Sequence, residues 1–213
     1  MMAAMGMTMQ MAWTSADAFF TFAMWVVMMI AMMAPAAAPI LLLFAAARAR
    51  RGERSVSPAT AMFGLGYVVV WTGFSAAATL AQWALHQAAL LSMAMATSSS
   101  RLSGAILIAA GIYQLTPWKS KCLTHCRSPL GFLMSCWRDG RLGAFRMGVR
   151  HGTFCLGCCW ALMCVLFVVG VMNLIWVAAL TVFVLVEKIG PRGAIVARVA
   201  GAALVVMGIV AIA

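Results

Sequence analysis

Two short segments of the chain concentrate sulfur and imidazole side chains at spacings suited to metal binding. Residues 122–126 read CLTHC, and residues 151–159 read HGTFCLGCC, so that the two segments contain five of the seven cysteines. Ligand-type residues three or four positions apart lie on one side of an α-helix. Thiolate and imidazole groups bind soft and borderline metal ions. The sequence therefore predicts a soft-metal site whose candidate ligands are Cys122, His125, Cys126, His151, Cys155, Cys158 and Cys159.

Basic residues flank both segments. Lys119, Lys121 and Arg127 surround the first, while Arg146 and Arg150 precede the second. Nearby cations lower the pKa of a thiol and favour the thiolate, which is the form that binds metal. We therefore expect both segments to be ready to bind a metal, either as one shared site or as two.

Methionine is the second source of soft ligands. The predicted first helix carries methionines at four-residue spacing, Met24, Met28 and Met32, and six more precede that helix: Met1, Met2, Met5, Met7, Met9 and Met11. Thioethers select Cu(I), and we take Met28 and Met32 as candidate ligands. Packing of a flexible apolar side chain is the alternative interpretation. Zn(II) is the competing ion because cysteine and histidine form its usual structural sites, but zinc sites do not use thioethers.

Composition predicts an all-α, polytopic membrane helix bundle. Hydrophobic residues make up 65% of the 213 residues and charged residues 9%, and the stretches 19–47 and 152–186 carry no charge. A bilayer-spanning helix needs about 20 apolar residues, so the chain holds about six spans in a single membrane domain over 1–213. Pro35 and Pro39 are expected to disrupt the first helix near its inner end. The predicted spans are 16–47, 60–84, 102–117, 151–170, 172–187 and 195–213.

The positive charges predict the orientation of these spans. Lysine and arginine cluster at residues 48–57, 118–150 and 188–198, whereas residues 1–15 have none and residues 85–101 have only Arg101. Basic loops of membrane proteins lie on the cytoplasmic side. We therefore expect a bacterial inner membrane protein with both termini outside. Residues 1–15 form a methionine-rich outer tail, and residues 118–150 form a basic cytoplasmic loop that carries the first cysteine segment.

Several function classes are disfavoured by the sequence. The net charge of +11 follows the predicted topology rather than one basic, aromatic-rich face, so nucleic acid is not an expected partner. Walker, GxSxG and HExxH motifs are missing from the sequence, and we expect neither an ATPase nor a hydrolase. Glu187 is expected to pair with Lys188 or Arg192 at the membrane interface.

The chain resembles a bacterial family of predicted metal-binding integral membrane proteins. The resemblance covers most of the chain and lies in residues 28–35, 111–117 (GIYQLTP), 122–127, 152–163 and 170–176. It implies a multi-span, metal-handling protein. The matched candidate ligands are Cys122, Cys126, Cys155, Cys158 and Cys159.

The resulting hypothesis is a membrane-embedded Cu(I)-binding protein that acts in copper transfer, delivery or transport, with the bilayer and a copper-carrying protein as partners. Two alternatives stay open. One is a membrane thiol-redox protein that uses Cys155, Cys158 and Cys159, although cytoplasmic thiols stay reduced. The other is an accessory subunit of a larger membrane complex, because small residues such as Gly66 and Gly201 allow close helix contacts.

Overall fold

The computed structural model describes residues 13–52, 56–90 and 97–213, and the regular structure in these ranges is helical. The predicted all-α fold class is confirmed there, while most of the methionine-rich tail lies outside the described residues. The helices are α1 (Ser15–Arg50), α2 (Val56–Gln87), α3 (Ser100–Leu115), α4 (Pro117–Arg127), α5 (Pro129–Cys136), α6 (Gly140–Cys164), α7 (Leu166–Val169), α8 (Leu174–Ile189) and α9 (Gly193–Ile212).

Four helical segments are long and apolar enough to cross a membrane. They are Ser15–Arg50, Val56–Gln87, Gly140–Val169 and Gly193–Ile212. The predicted third and fifth spans correspond to α3 and α8, which have 16 residues each. Helices of that length extend about 24 Å, short of the roughly 30 Å hydrocarbon core. Six spans are therefore not confirmed, although all six predicted segments are helical.

The first helix is longer and more continuous than its prolines suggest. Thr14 caps its start, where the side chain of Asp17 accepts hydrogen bonds from the backbone N–H and hydroxyl of Thr14, at 2.9 and 2.7 Å. The helix then runs through Pro35 and Pro39 to Arg50, so the expected disruption does not end it. Proline inside a helix is tolerated where packing against neighbouring helices stabilises the segment.

Glycines allow close helix packing at two places. A Cβ atom at Gly148 of α6 would overlap the backbone carbonyl of Phe63 in α2. A Cβ at Gly111 of α3 would lie 2.6 Å from the carbonyl oxygen of Gly201 in α9. The backbones of these helix pairs therefore approach more closely than a side chain permits.

The predicted basic loop is largely helical. Its residues form α4, α5 and the first part of α6, which begins at Gly140 rather than at His151. At 1.5 Å per residue, Cys155 lies about 22 Å along α6. The second cysteine segment is consequently in the middle of a long helix and not at its end.

Candidate soft-metal site

The site is formed where the short helix α4 packs against the middle of α6. The Sγ atoms of Cys126 and Cys158 lie 3.9 Å apart. With metal–thiolate bonds of about 2.3 Å, two sulfurs on one ion are separated by about 3.8 Å at a tetrahedral angle and by at most about 4.6 Å when linear. One ion therefore fits between Cys126 and Cys158 without a movement of either helix.

The three cysteines of α6 are buried together. Cys155, Cys158 and Cys159 are each 1% exposed. The thiols of Cys158 and Cys159 donate hydrogen bonds to the backbone carbonyl of Cys155, at 3.1 and 2.8 Å. All seven cysteines lie in the described part of the chain, and all are free thiols. The predicted clustering on one side of the helix is thus present in the fold.

A buried ammonium group contacts this thiol cluster. Lys188 Nζ lies 2.9 Å from Cys155 Sγ, and the hydroxyl of Tyr67 lies 3.0 Å from the same sulfur. Both side chains are buried. Sequence reasoning missed both residues as parts of the site. The available signal for Lys188 was its position just after Glu187, at the end of the uncharged stretch 152–186, which points to a buried charge as well as to the end of a span.

The carboxylate of Glu187 has a different partner from the predicted one. It forms a buried salt bridge with Lys119 of α4, at 2.8 Å, and accepts a hydrogen bond from the Gln114 amide at 2.7 Å. The expected pairing with Lys188 or Arg192 is wrong because Lys188 turns towards the thiols. In addition, Arg127 donates to the carbonyls of Glu187 and Gly190 at the end of α8, at 3.0 and 2.7 Å. These contacts hold α4 in place over the site.

Cys122 lies beside the cluster, and His151 lies at its edge. A Cβ at Gly157 of α6 would be 2.9 Å from Cys122 Sγ, so this thiol faces α6 one turn of α4 before Cys126. His151 is buried one turn before Cys155, among the rings of Tyr67, Phe63 and Phe132.

His125 points elsewhere. Its Nδ1 lies 2.9 Å from the carbonyl oxygen of Lys121, and its ring stacks on Phe154 with centroids 4.4 Å apart. The structure therefore does not bring His125 to the buried thiols. Two further cysteines lie outside the two predicted segments. Cys136 packs in a separate core cluster, and Cys164 lies near the end of α6.

The methionines of α1 line the same core. Met29, Met32 and Met33 are buried in the cluster that contains Cys155, while Met24 and Met28 are half-buried and pack against it. The candidate Met32 is thus inside the core and Met28 is at its edge. Tyr67 connects the two groups, since its hydroxyl contacts both Cys155 and the backbone carbonyl of Met33, at 3.4 Å.

The thiols of α4 favour the protonated form in the metal-free protein. Burial, reinforced by the nearby Cys158, raises the pKa of Cys122. Hydrogen bonds with Cys155 and Cys158 raise the pKa of Cys126. The flanking lysines and arginines were expected to act in the opposite direction, but Lys119 and Arg127 are engaged with Glu187 and the end of α8. Metal binding must therefore displace protons from these sulfurs.

The described structure places one pair of thiols from different helices at a metal-bridging separation. Over the described residues, no three histidine, cysteine or carboxylate side chains are arranged as a ready-made metal-binding group. A tetrahedral structural zinc site needs four such ligands, whereas the Cys126–Cys158 pair supplies two.

These features define a class of protein: an all-helical, largely apolar bundle with a buried thiol cluster suited to a soft metal ion. The chain belongs to the copper chaperone family PpoB2, whose family model matches residues 22–211. This membership establishes copper handling as its area of function. No curated protein and no solved structure matches the chain significantly.

Proposed function

We propose that this protein is a membrane-embedded Cu(I) carrier that holds its cargo at the thiols of Cys126 and Cys158. The observation that carries the proposal is the 3.9 Å separation of these two sulfurs, which come from different helices. Cys155 and Cys159 are the adjacent sulfurs to which the ion moves when it leaves the first pair. Cys122 is the most accessible of the five thiols facing the site and serves as the exchange position with a copper-carrying partner.

The charge of Lys188 supports Cu(I) as the cargo. Two thiolates and one monovalent ion carry a net charge of −1, which is costly in an apolar core unless it is offset. The ammonium of Lys188, at 2.9 Å from Cys155 Sγ, brings that total to zero. A divalent ion such as Zn(II) on the same two thiolates would be neutral, and the buried charge of Lys188 would then lack compensation.

The proposed location is the bacterial inner membrane, with the cysteines nearer to the cytoplasmic side. Four apolar helical segments support insertion into the bilayer. The basic residues cluster at one end of the bundle, where Arg51 pairs with Asp139 at 3.7 Å and Arg127 binds the end of α8. By the positive-inside rule, this end faces the cytoplasm.

Metal analysis of the purified protein tests the proposal. The wild type, purified in detergent under reducing conditions and loaded with Cu(I), should hold stoichiometric copper by mass spectrometry. The double variant Cys126→Ser, Cys158→Ser should lose the copper of this site because both bridging sulfurs are gone. The matched control is Cys136→Ser, Cys164→Ser, which removes two cysteines outside the cluster and should leave the copper content unchanged.

Wild-type protein that cannot be loaded with Cu(I) would contradict the proposal. Equal copper content in both double variants would contradict the assignment to Cys126 and Cys158. An isolated Cys126–Cys158 disulfide without metal would instead favour the thiol-redox alternative, because a disulfide requires the sulfurs to close from 3.9 Å to about 2.05 Å.

A further inference from the structure

A cavity of about 510 Å³ opens at the end of the bundle opposite the basic helices α4 and α5. Three separate parts of the chain contribute to it: the start of α1, the end of α2 and the turn between α7 and α8. Its lining residues are Trp13, Asp17, Phe20, Thr21, Met24, His86 and Met172. The cavity therefore combines an imidazole and two thioethers, which the soft-metal site on α4 and α6 does not use.

We propose that this cavity is a second Cu(I)-binding site, with His86, Met24 and Met172 as its ligands. Imidazole suits copper, and thioethers select Cu(I) over hard cations. An imidazole and two thioethers add no negative charge, so a bound Cu(I) here keeps its positive charge. A site of this composition holds the ion less tightly than a pair of thiolates, as a site of first contact should. The inference rests on the proposed copper-carrier function and extends it to the other end of the bundle.

The surroundings of His86 fix its position in the cavity. The ring of Trp13 packs edge-on against the imidazole, with centroids 5.3 Å apart. One turn earlier on α2, the Gln82 side chain accepts a 2.7 Å hydrogen bond from the indole of Trp25, which is the residue after Met24. This buried contact sets the spacing of α1 and α2 directly below the cavity. The ligands on the two helices are therefore held at a defined separation.

The charge at the cavity favours a cation. Asp17 is the acidic residue among those lining it, whereas lysine and arginine do not line it. Its carboxylate is engaged by Thr14 in the cap of α1, so it acts through its charge and not as a ligand. A negative charge at the rim of a cavity raises the local concentration of cations.

Sulfur side chains connect the cavity to the buried thiols. Met24 lines the cavity and also packs against the core cluster that contains Met29, Met33 and Cys155. From Met24 to Met33 the helix rises about 14 Å, at 1.5 Å per residue. Tyr67 then contacts both Met33 and Cys155. The proposed second site thus lies at one end of a row of α1 methionines, and Tyr67 links the other end of that row, through the backbone carbonyl of Met33, to the thiol of Cys155.

The test separates this site from the thiols. In a full-length background with Cys122, Cys126, Cys155, Cys158 and Cys159 changed to serine, Cu(I) should still bind and should show imidazole nitrogen and thioether sulfur by X-ray absorption. Adding His86→Asn and Met172→Leu should weaken Cu(I) binding by at least about tenfold, because ligands are lost. The matched control adds His125→Asn and Met134→Leu, which remove an exposed histidine and an exposed methionine far from the cavity.

Equal copper binding by the two histidine–methionine variants would overturn the inference, since it would place the copper elsewhere, for example on the amino-terminal methionines. Zn(II) binding in preference to Cu(I) would overturn it as well. If the five-serine background does not fold, the same pairs are compared in the wild-type chain, where His86→Asn with Met172→Leu should remove one equivalent of copper. If the thiols bind copper and the His86→Asn, Met172→Leu variant has the same copper content as the wild type, the second site is refuted while the proposed function stands.

Discussion

At the scale of single residues, the contact between Lys188 and Cys155 places a buried positive charge beside the thiol cluster. A buried lysine needs a partner of opposite charge, and the partner here is a sulfur atom rather than a carboxylate. The 2.9 Å contact places the charge of Lys188 where it can offset negative charge on the thiol cluster.

Replacing Lys188 by methionine tests this role. Lys188→Met keeps the side-chain length but removes the charge, and we expect the Cu(I) affinity to fall by about tenfold or more, as for other groups that support metal ligands. Lys188→Arg should retain most of the affinity. Competition titration with a Cu(I) chelator measures the effect, and Lys121→Met, at an exposed lysine of α4, is the control.

The thermal stability of the metal-free variant gives a second readout. Without its cation, Cys155 stays protonated and leaves no stranded charge, so the stability of Lys188→Met should be unchanged or higher by about 1–4 kcal/mol. Lower stability together with wild-type copper affinity would show that Lys188 has only a structural role.

The sequence was informative about ligands and uninformative about their partners. Spacing along one helix is visible in the sequence, so the clustering of Cys155, Cys158 and Cys159 could be predicted. Lys188 and Tyr67, which contact Cys155, are 33 and 88 residues away from it in the sequence. Only the packing of different helices brings them together. The same limit explains the wrong partner for Glu187, whose true partner Lys119 is 68 residues distant.

At the scale of elements, the length of the apolar stretches predicted which segments are helical better than it predicted where each helix begins and ends. The long apolar stretches correctly indicated α1 and α2, but α6 begins at Gly140, within a segment that its charges had assigned to a loop. Charges and glycines at 140–150 mask the helix in a hydropathy profile. The helix continues there because Gly148 packs against the backbone of α2, a contact that sequence alone does not reveal.

Gly148→Ala measures how much the fold depends on this contact. The added methyl group would overlap the Phe63 carbonyl, and we expect a loss of about 1–3 kcal/mol in unfolding free energy, as for other overpacked sites. Gly73→Ala in α2 is the matched control, because nothing lies within 4 Å of its Cβ position. It should be neutral or stabilising by up to about 1 kcal/mol, since alanine is the better helix former. Equal unfolding curves in detergent for the two variants would contradict the packing argument.

At the scale of the whole molecule, the two proposed copper sites lie towards opposite ends of the fold. The thiols lie under the basic helix α4, and the histidine–methionine cavity lies at the other end. In the proposed membrane location, the orientation of the protein decides which of the two sites meets incoming copper. The distribution of lysine and arginine predicts that the thiol end faces the cytoplasm.

Labelling of intact cells tests this orientation. A membrane-impermeant thiol reagent should leave Cys122 and Cys126 unmodified, because both lie on the cytoplasmic side in the proposed topology. A cysteine introduced by Met172→Cys, at an exposed position of the opposite end, should be labelled under the same conditions. Labelling of Cys122 in intact cells would reverse the assigned orientation. The orientation would also be reversed if the introduced cysteine were labelled in lysed cells but not in intact cells.

The carbonyl of Cys155 has a consequence for the emptied protein. It accepts hydrogen bonds from two thiols, so both sulfurs have a resting position when no ion is bound. In the proposed carrier, the proton that returns to Cys158 on release of copper finds an acceptor already in place, so this thiol is not left unpaired in the core. A resting hydrogen bond of this kind lowers the free energy of the emptied form, which helps a carrier to release its cargo.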